Sequence, residues 1–231
     1  MPQKDAWEKE YKNPKLITLG DDPQKDVRRF LKFLRREEKV TLENLDILDL
    51  GSGTGKNANY LASLGNRVMG IEIAPTAVAL AKERAKEMHA EVKYHQGSIG
   101  EAFPLEDHCC DVVMDVMTSN SLNERERVMY LKETHRVLRP GGHFFYRGLC
   151  KDGDENAKTL LKTSPGPEYD TYLNAEMNLV ERVFSEKDFV ALYSPFFTIL
   201  SLTKKTNYAR FNGRIYKRNY WIAYMRREAH T

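Results

Sequence analysis

Residues Asp46-Ile-Leu-Asp-Leu-Gly-Ser-Gly-Thr-Gly55 run an apolar strand straight into three glycines spaced two apart, with the carboxylate of Asp49 just ahead of the first. Ile47, Leu48 and Leu50 form a near-continuous apolar run, the pattern of a strand buried on both faces of a parallel sheet. The glycines Gly51, Gly53 and Gly55 let the backbone turn sharply and approach a ligand closely. From Lys56 the pattern becomes helical, with Ala58, Leu61, Ala62 and Leu64 on one face and Gly65 as a stop. Strand, turn and helix in this order put a ligand at the carboxyl edge of the sheet. Spacing narrows which ligand. A dinucleotide fingerprint needs glycine or alanine where Lys56 stands, and a P-loop needs glycine and a hydroxyl residue where Leu50 and Asn57 stand. An acid beside a close-approach loop suits a ligand with a cationic end.

Arg67-Val-Met-Gly-Ile-Glu72 predicts a second strand ending in a carboxylate seventeen residues after Gly55. At that point a carboxylate can accept hydrogen bonds from ribose hydroxyls. Pro75 opens a helix whose one face carries Ala77, Ala81, Ala85 and Met88. A third strand is expected over Glu91 to His95 and a fourth over Asp111-Val-Val-Met-Asp115. Arg136-Val-Leu-Arg-Pro-Gly-Gly142 is expected to end a helix and turn into a fifth strand. In this order, over about residues 45 to 150, the chain resembles the class I S-adenosylmethionine-dependent methyltransferases, with Leu48 to Gly55 as their first motif.

The resemblance implies an α/β, Rossmann-like fold: a seven-stranded, mostly parallel sheet with helices on both faces and a C-terminal antiparallel hairpin, from Phe196 to Leu202 and Tyr220 to Met225. It implies S-adenosyl-L-methionine as cofactor, held by Asp49, Gly51, Ser52, Gly53, Gly55, Asn57, Glu72, Ile73, Ser98, Ile99 and Asp115. Trp7 and Tyr11, four apart on one helical face, fit an amino-terminal aromatic lid over that cofactor. Two positions depart from the family pattern. Ser98 stands where many members carry an acid for the adenine amino group, and Thr118-Ser119-Asn120 replaces the usual paired histidines.

The remaining features bound the function. With 231 residues, 41% hydrophobic and 30% charged, the chain fits one globular domain. We expect a helical lid segment over 1–40, a cofactor-binding core over 41–150, and a substrate-side segment with closing hairpin over 151–231. No run of eighteen apolar residues and no apolar signal core after Met1 occur, so a cytoplasmic location off the membrane is expected. Cys109, Cys110 and Cys150 fit neither a disulfide framework nor a metal site. Asp22-Pro23 precedes an amphipathic helix through Val27, Phe30, Leu31 and Leu34.

On the acceptor side the reading rests on position. Asp115, Tyr146 and Arg147, at the ends of strands four and five, are the catalytic candidates. Asn120, Arg147, Tyr169, Tyr172 and Arg210 are the candidates for holding the acceptor, with residues 151–195 covering one end of the pocket. Arg147 could pair with a carboxylate or phosphate. From Lys204 onward eight cationic side chains face one acid, interleaved with Tyr208, Phe211, Tyr216 and Trp221. That composition also occurs where proteins grip single-stranded nucleic acid. The expected activity is methyl transfer to a polar or anionic small molecule. RNA methylation through the basic stretch, and a non-catalytic module that binds the cofactor, are the alternatives.

Overall fold

A computed structural model describes residues 2–14, 20, 22–211 and 214–229. Seven strands form one sheet in the order β3-β2-β1-β4-β5-β9-β8. The first five are β1 (Asp46–Leu50), β2 (Arg67–Glu72), β3 (Val92–Gln96), β4 (Cys110–Val116) and β5 (Leu138–Leu149). They are parallel, whereas β9 (Arg214–Arg226) runs antiparallel to β5 and to β8 (Thr198–Phe211). The remaining strands, β6 (Thr171–Asn174) and β7 (Leu179–Arg182), make a separate hairpin. Helices α1 (Pro2–Lys12), α2 (Lys25–Arg36), α3 (Lys56–Ser63), α4 (Pro75–Glu87), α5 (Glu124–Val137), α6 (Glu155–Thr163) and α7 (Glu186–Tyr193) complete the fold. Among the described residues no helix is long and apolar enough to cross a membrane.

The helices begin where local chemistry says they should. Pro75 supplies the preset φ of a first helical position in α4. Asn123 and Glu126 form a reciprocal capping box on α5, and Ser185 accepts from the Asp188 amide at the start of α7. Two apolar layers follow from the two-residue alternation of the strands. On one face Val27, Phe30 and Leu34 of α2 and Leu61 of α3 pack on Ile47, Val112, Met114 and Phe145. On the other, Tyr130 of α5 and Phe189 and Tyr193 of α7 pack on Leu48, Val113, Phe144 and Tyr146.

The closing hairpin differs from expectation. Its strands continue well past Leu202 and begin well before Tyr220, pairing from Thr198↔Arg226 out to Phe211↔Arg214. Beyond the Leu149↔Tyr220 pair β5 has ended, so the outer part is a two-stranded arm. Where the arm meets residues 151–195 it does so through polar bonds, Arg218 and Asn219 to Asp154 and Arg218 to Tyr172, so its composition reads as a loop. Residues 212 and 213 and the side chains of 209 to 214, Arg210 among them, lie outside the described residues.

Phe30 is fully buried and rests on Phe145 and Tyr224, with ring centroids 5.0 and 5.2 Å away. Phe30→Ala should therefore cost about 3–5 kcal/mol of stability, read as a lower urea midpoint at unchanged slope. A loss within experimental error would mean that α2 contributes little to the core.

Candidate active site

The carboxyl ends of β1, β2, β4 and β5 surround a cavity of about 440 Å³. Its floor is the glycine turn. Gly51 and Gly53 have φ of +67° and +54°, and each is also fixed by a neighbour. A Cβ on Gly51 would lie 2.0 Å from the Thr118 side chain, and one on Gly53 would lie 2.8 Å from the Tyr11 hydroxyl. Glu72 holds the turn from the next strand. Its Oε2 accepts from the Gly53 amide at 2.9 Å and its Oε1 from the Ala74 amide at 2.8 Å. Burial raises its pKa against the pull of these amides. The carboxylate faces the cavity with lone pairs to spare.

Of the residues expected at the cofactor, Trp7, Tyr11, Gly51, Ser52, Gly53, Asn57, Glu72, Ile73, Ser98 and Ile99 line this cavity. Helix α1 lies across it, attached at two places. Gln3 donates to the Ser121 carbonyl and to Glu126, and Glu8 accepts from the Thr76 amide at 3.0 Å and its hydroxyl at 2.6 Å. Burial, and then the charges of Glu72, Glu10 and Asp49, push the Tyr11 phenol well above its ordinary pKa. It therefore stays a hydrogen-bond donor at neutral pH.

Three of the expected cofactor contacts are corrected. Gly55 is buried outside the cavity lining, and a Cβ there would strike the Tyr94 hydroxyl. Asp49 lies below the glycine turn, 1% exposed, accepting from the Ala58 amide at the start of α3 while its Oδ2 has no partner. Burial, with the charges of Asp115 and Glu72, pushes its pKa up to about 8. Asp115 points into the protein, because the Thr118 amide at 2.9 Å and the Tyr130 hydroxyl at 2.7 Å already claim its two oxygens.

The acceptor candidates separate in the same way. Arg147 lines the cavity, 4.0 Å over the Tyr220 ring, with Nε 3.4 Å from Asp26 Oδ2. Its neighbour Tyr146 points to the other face of the sheet and is buried among Phe189 and Tyr193. Strand alternation makes that outcome unavoidable for adjacent residues. Asn120 is buried and accepts from the Leu149 amide at 3.0 Å, tying the β4 turn to the end of β5. Tyr172 is buried under β9, its hydroxyl accepting from Arg218 at 2.9 Å. Tyr169 is exposed beneath Arg182 and Lys151. No residue of 151–195 lines the described cavity, so this segment buttresses the hairpin instead of covering the pocket.

The cavity also contains residues that the sequence reading passed over: Gln3, Gln24, Lys56, Met117, Thr118 and Tyr220. Met117 has a φ of +68°, and its amide donates to the Arg147 carbonyl at 2.7 Å. Such a left-handed conformation is costly for a side chain with a Cβ, and here the Asp115 and Arg147 hydrogen bonds on either side impose it. Thr118 and Met117 could have been inferred from their place just past β4. In the sequence, Lys56 serves only to exclude a dinucleotide motif.

The raised pKa of Asp49 has a consequence for stability. Below about pH 4 the carboxyl is protonated in both folded and unfolded chains. As pH rises toward 8 the folded chain retains a proton that the unfolded chain has lost, so the stability from the buried neutral acid disappears through that window. Melting of the ligand-free protein from pH 6 to pH 9 should fall more steeply for the natural chain than for Asp49→Asn. Parallel curves would mean that Asp49 does not titrate there.

A family profile described as a methyltransferase domain matches residues 48–146. A sterol 4-C-methyltransferase of Caenorhabditis elegans is 32% identical over 136 residues, 57% of this chain and 40% of that protein. A ubiquinone biosynthesis O-methyltransferase of Coxiella burnetii is 25% identical over 139 residues, 60% of this chain and 56% of that protein. The chain thus spans about half the length of the curated relatives it matches. A methyltransferase structure from Methanosarcina mazei superposes with a TM-score of 0.73 at 22% identity, covering 84% of this chain and 97% of that one, a likeness of fold. The site fits the cofactor of that family on its own terms: an acid facing a nucleoside-sized cavity, glycines where a Cβ would intrude, and an unpartnered buried carboxylate oxygen beneath. Residues 48–146 thus match a methyltransferase domain, and the sequence relatives, the fold and the site together support a class I S-adenosylmethionine-dependent methyltransferase with S-adenosyl-L-methionine as its cofactor.

Proposed function

We propose that the chain transfers a methyl group to a polar or anionic small molecule bound beside Arg147. The observation that carries this reading is the composition of one cavity. Glu72 and the glycine turn line one end, and the guanidinium of Arg147, stacked on Tyr220, lines the other. When bound, the cofactor supplies an electrophilic methyl on its sulfonium. Glu72 and the Gly51–Gly53 backbone would hold the nucleoside end, and Ile73, Ile99 and Leu122 offer apolar walls against water. Proximity and alignment of this kind are worth up to about 7–11 kcal/mol. Asp115 and Tyr146 are unsuited to act as a general base, being buried away from the cavity. The free thiols of Cys109, Cys110 and Cys150 are consistent with a cytoplasmic setting.

RNA is the weaker reading, because several cations of the basic stretch are already engaged. Lys205 binds Asp26, Arg218 binds Asp154 and Tyr172, Arg226 binds Glu38, and Arg227 donates to the carbonyls of His135 and Leu138. Lys204 and Lys217 stay exposed, beside Tyr208.

Calorimetric titration with S-adenosylhomocysteine tests the cofactor end. Glu72→Gln keeps the shape of the side chain but replaces one acceptor oxygen with a donor, so affinity should fall by about 1.5–3 kcal/mol. Unchanged affinity would remove Glu72 from the site. For the acceptor end, a labelled-methyl screen of metabolites sorted by charge should give turnover with polar or anionic compounds. In that screen Arg147→Lys should lose most turnover, because it keeps the charge and loses the fork. Turnover confined to neutral apolar compounds, or salt-sensitive micromolar binding of bulk RNA, would overturn the acceptor assignment.

A further inference from the structure

Arg147, at one end of the cavity, shares a single buried carboxylate with cations outside it. Arg147 is only 6% exposed, yet among the described residues its Nε–H has no hydrogen-bond acceptor. The nearest carboxylate, Asp26, is 3.4 Å from that nitrogen. Its other oxygen already accepts from Lys205 at 2.6 Å and from Arg29 at 2.8 Å. One buried carboxylate therefore serves three cations.

Lys56 adds a fourth. It is half-buried and lines the same cavity. Burial, and then the like charges of Arg84 and Arg147, lower its pKa. Holding two cations together in a partly dehydrated cavity is unfavourable unless an anion joins them. An arginine offers a planar fork and a lysine a mobile point charge, a pair that suits a carboxylate or a phosphate.

We infer that Lys56 and Arg147 form an oxyanion subsite that takes a carboxylate or phosphate group of the acceptor. This assignment rests on the methyltransferase reading and narrows it, since the acceptor must carry the oxyanion within reach of the methylated atom. It also gives the lysine after the glycine turn a role in choosing the acceptor. The cofactor has a carboxylate of its own, so the same cations could be engaged from the other side, and the experiment must tell the two sources apart.

Three ligands do so: S-adenosylhomocysteine, 5′-methylthioadenosine, which has the same nucleoside without the amino acid, and inorganic phosphate. Each is measured on the natural chain, Lys56→Met and Arg147→Met. Phosphate should raise the melting temperature of the S-adenosylhomocysteine complex saturably in the natural chain, and this shift should vanish in both variants while both nucleosides bind as before. If the variants instead weaken S-adenosylhomocysteine by about tenfold or more and leave methylthioadenosine unchanged, the oxyanion is the cofactor's and the acceptor assignment falls. A phosphate shift equal in all three proteins, with nucleoside affinities unchanged, would overturn the subsite altogether. Failure of the natural chain to bind S-adenosylhomocysteine would count against the methyltransferase reading instead. Among the described residues Lys56 has no ion-pair partner, so Lys56→Met reads the subsite even where Arg147→Met, which strips a partner from Asp26, fails to fold.

Discussion

The carboxylate of Glu72 ties the end of β2 to the glycine turn that leaves β1, through the amides of Gly53 and Ala74. Much of the site is arranged around this pair of bonds. Burial makes a carboxylate costly to ionise and makes each amide bonded to it correspondingly stronger. The turn is thereby held open at the point where any side chain larger than glycine would close it. Helix α1 is attached to the same place. Thr76, two residues past Ala74, binds Glu8 of α1, and the Tyr11 hydroxyl rests over Gly53. Displacement of the glycine turn would therefore be felt by α1, and the reverse.

A second buried acid, Asp115, does comparable work at the end of β4. It caps the turn through Thr118 and is fixed by Tyr130, and the turn so held carries Met117 and Thr118 into the cavity wall. Asn120 joins this turn to the end of β5. Together these bonds set the distance between the glycine turn and Arg147. None of the three polar groups needs to touch a ligand for the site to depend on it.

This explains which parts of the molecule were legible in the sequence. The strands of the parallel core, the glycine turn, the acid at the end of β2 and the apolar face of α2 each carry a local signature of period or spacing, and each is found where that signature put it. The acids and amides at strand ends carry no such signature. Asp115, Asn120 and Tyr146 all occupy carboxyl-end positions where ligands bind in α/β sheets. Whether such a side chain faces the cavity or the protein is decided by partners far away in the chain: Tyr130 for Asp115, Leu149 for Asn120, α7 for Tyr146. The same holds for Tyr172, whose partner Arg218 comes from the far side of the hairpin. The length of that hairpin was hidden because its outer strands are held by polar bonds, such as those of Arg218 and Asn219 to Asp154, which leave no apolar alternation to reveal them.

The cavity is electrically asymmetric. At one end Asp49 and Glu72 have raised pKa values, because burial opposes the charge of each, with repulsion from Asp115 and Glu72 on Asp49 and from Glu8 on Glu72. At the other end Lys56 has a lowered one, for the same reasons with the sign reversed. A ligand with its cationic groups toward the acids and an anionic group toward Lys56 and Arg147 would relieve both. Relief of this kind favours binding in one orientation only, because the reversed ligand sets like charges together in a medium that screens them poorly. It also couples binding to folding, since free energy gained only by the folded chain adds to its stability in proportion to ligand saturation. The charges that burial and repulsion oppose are thus the ones that would orient and retain a ligand.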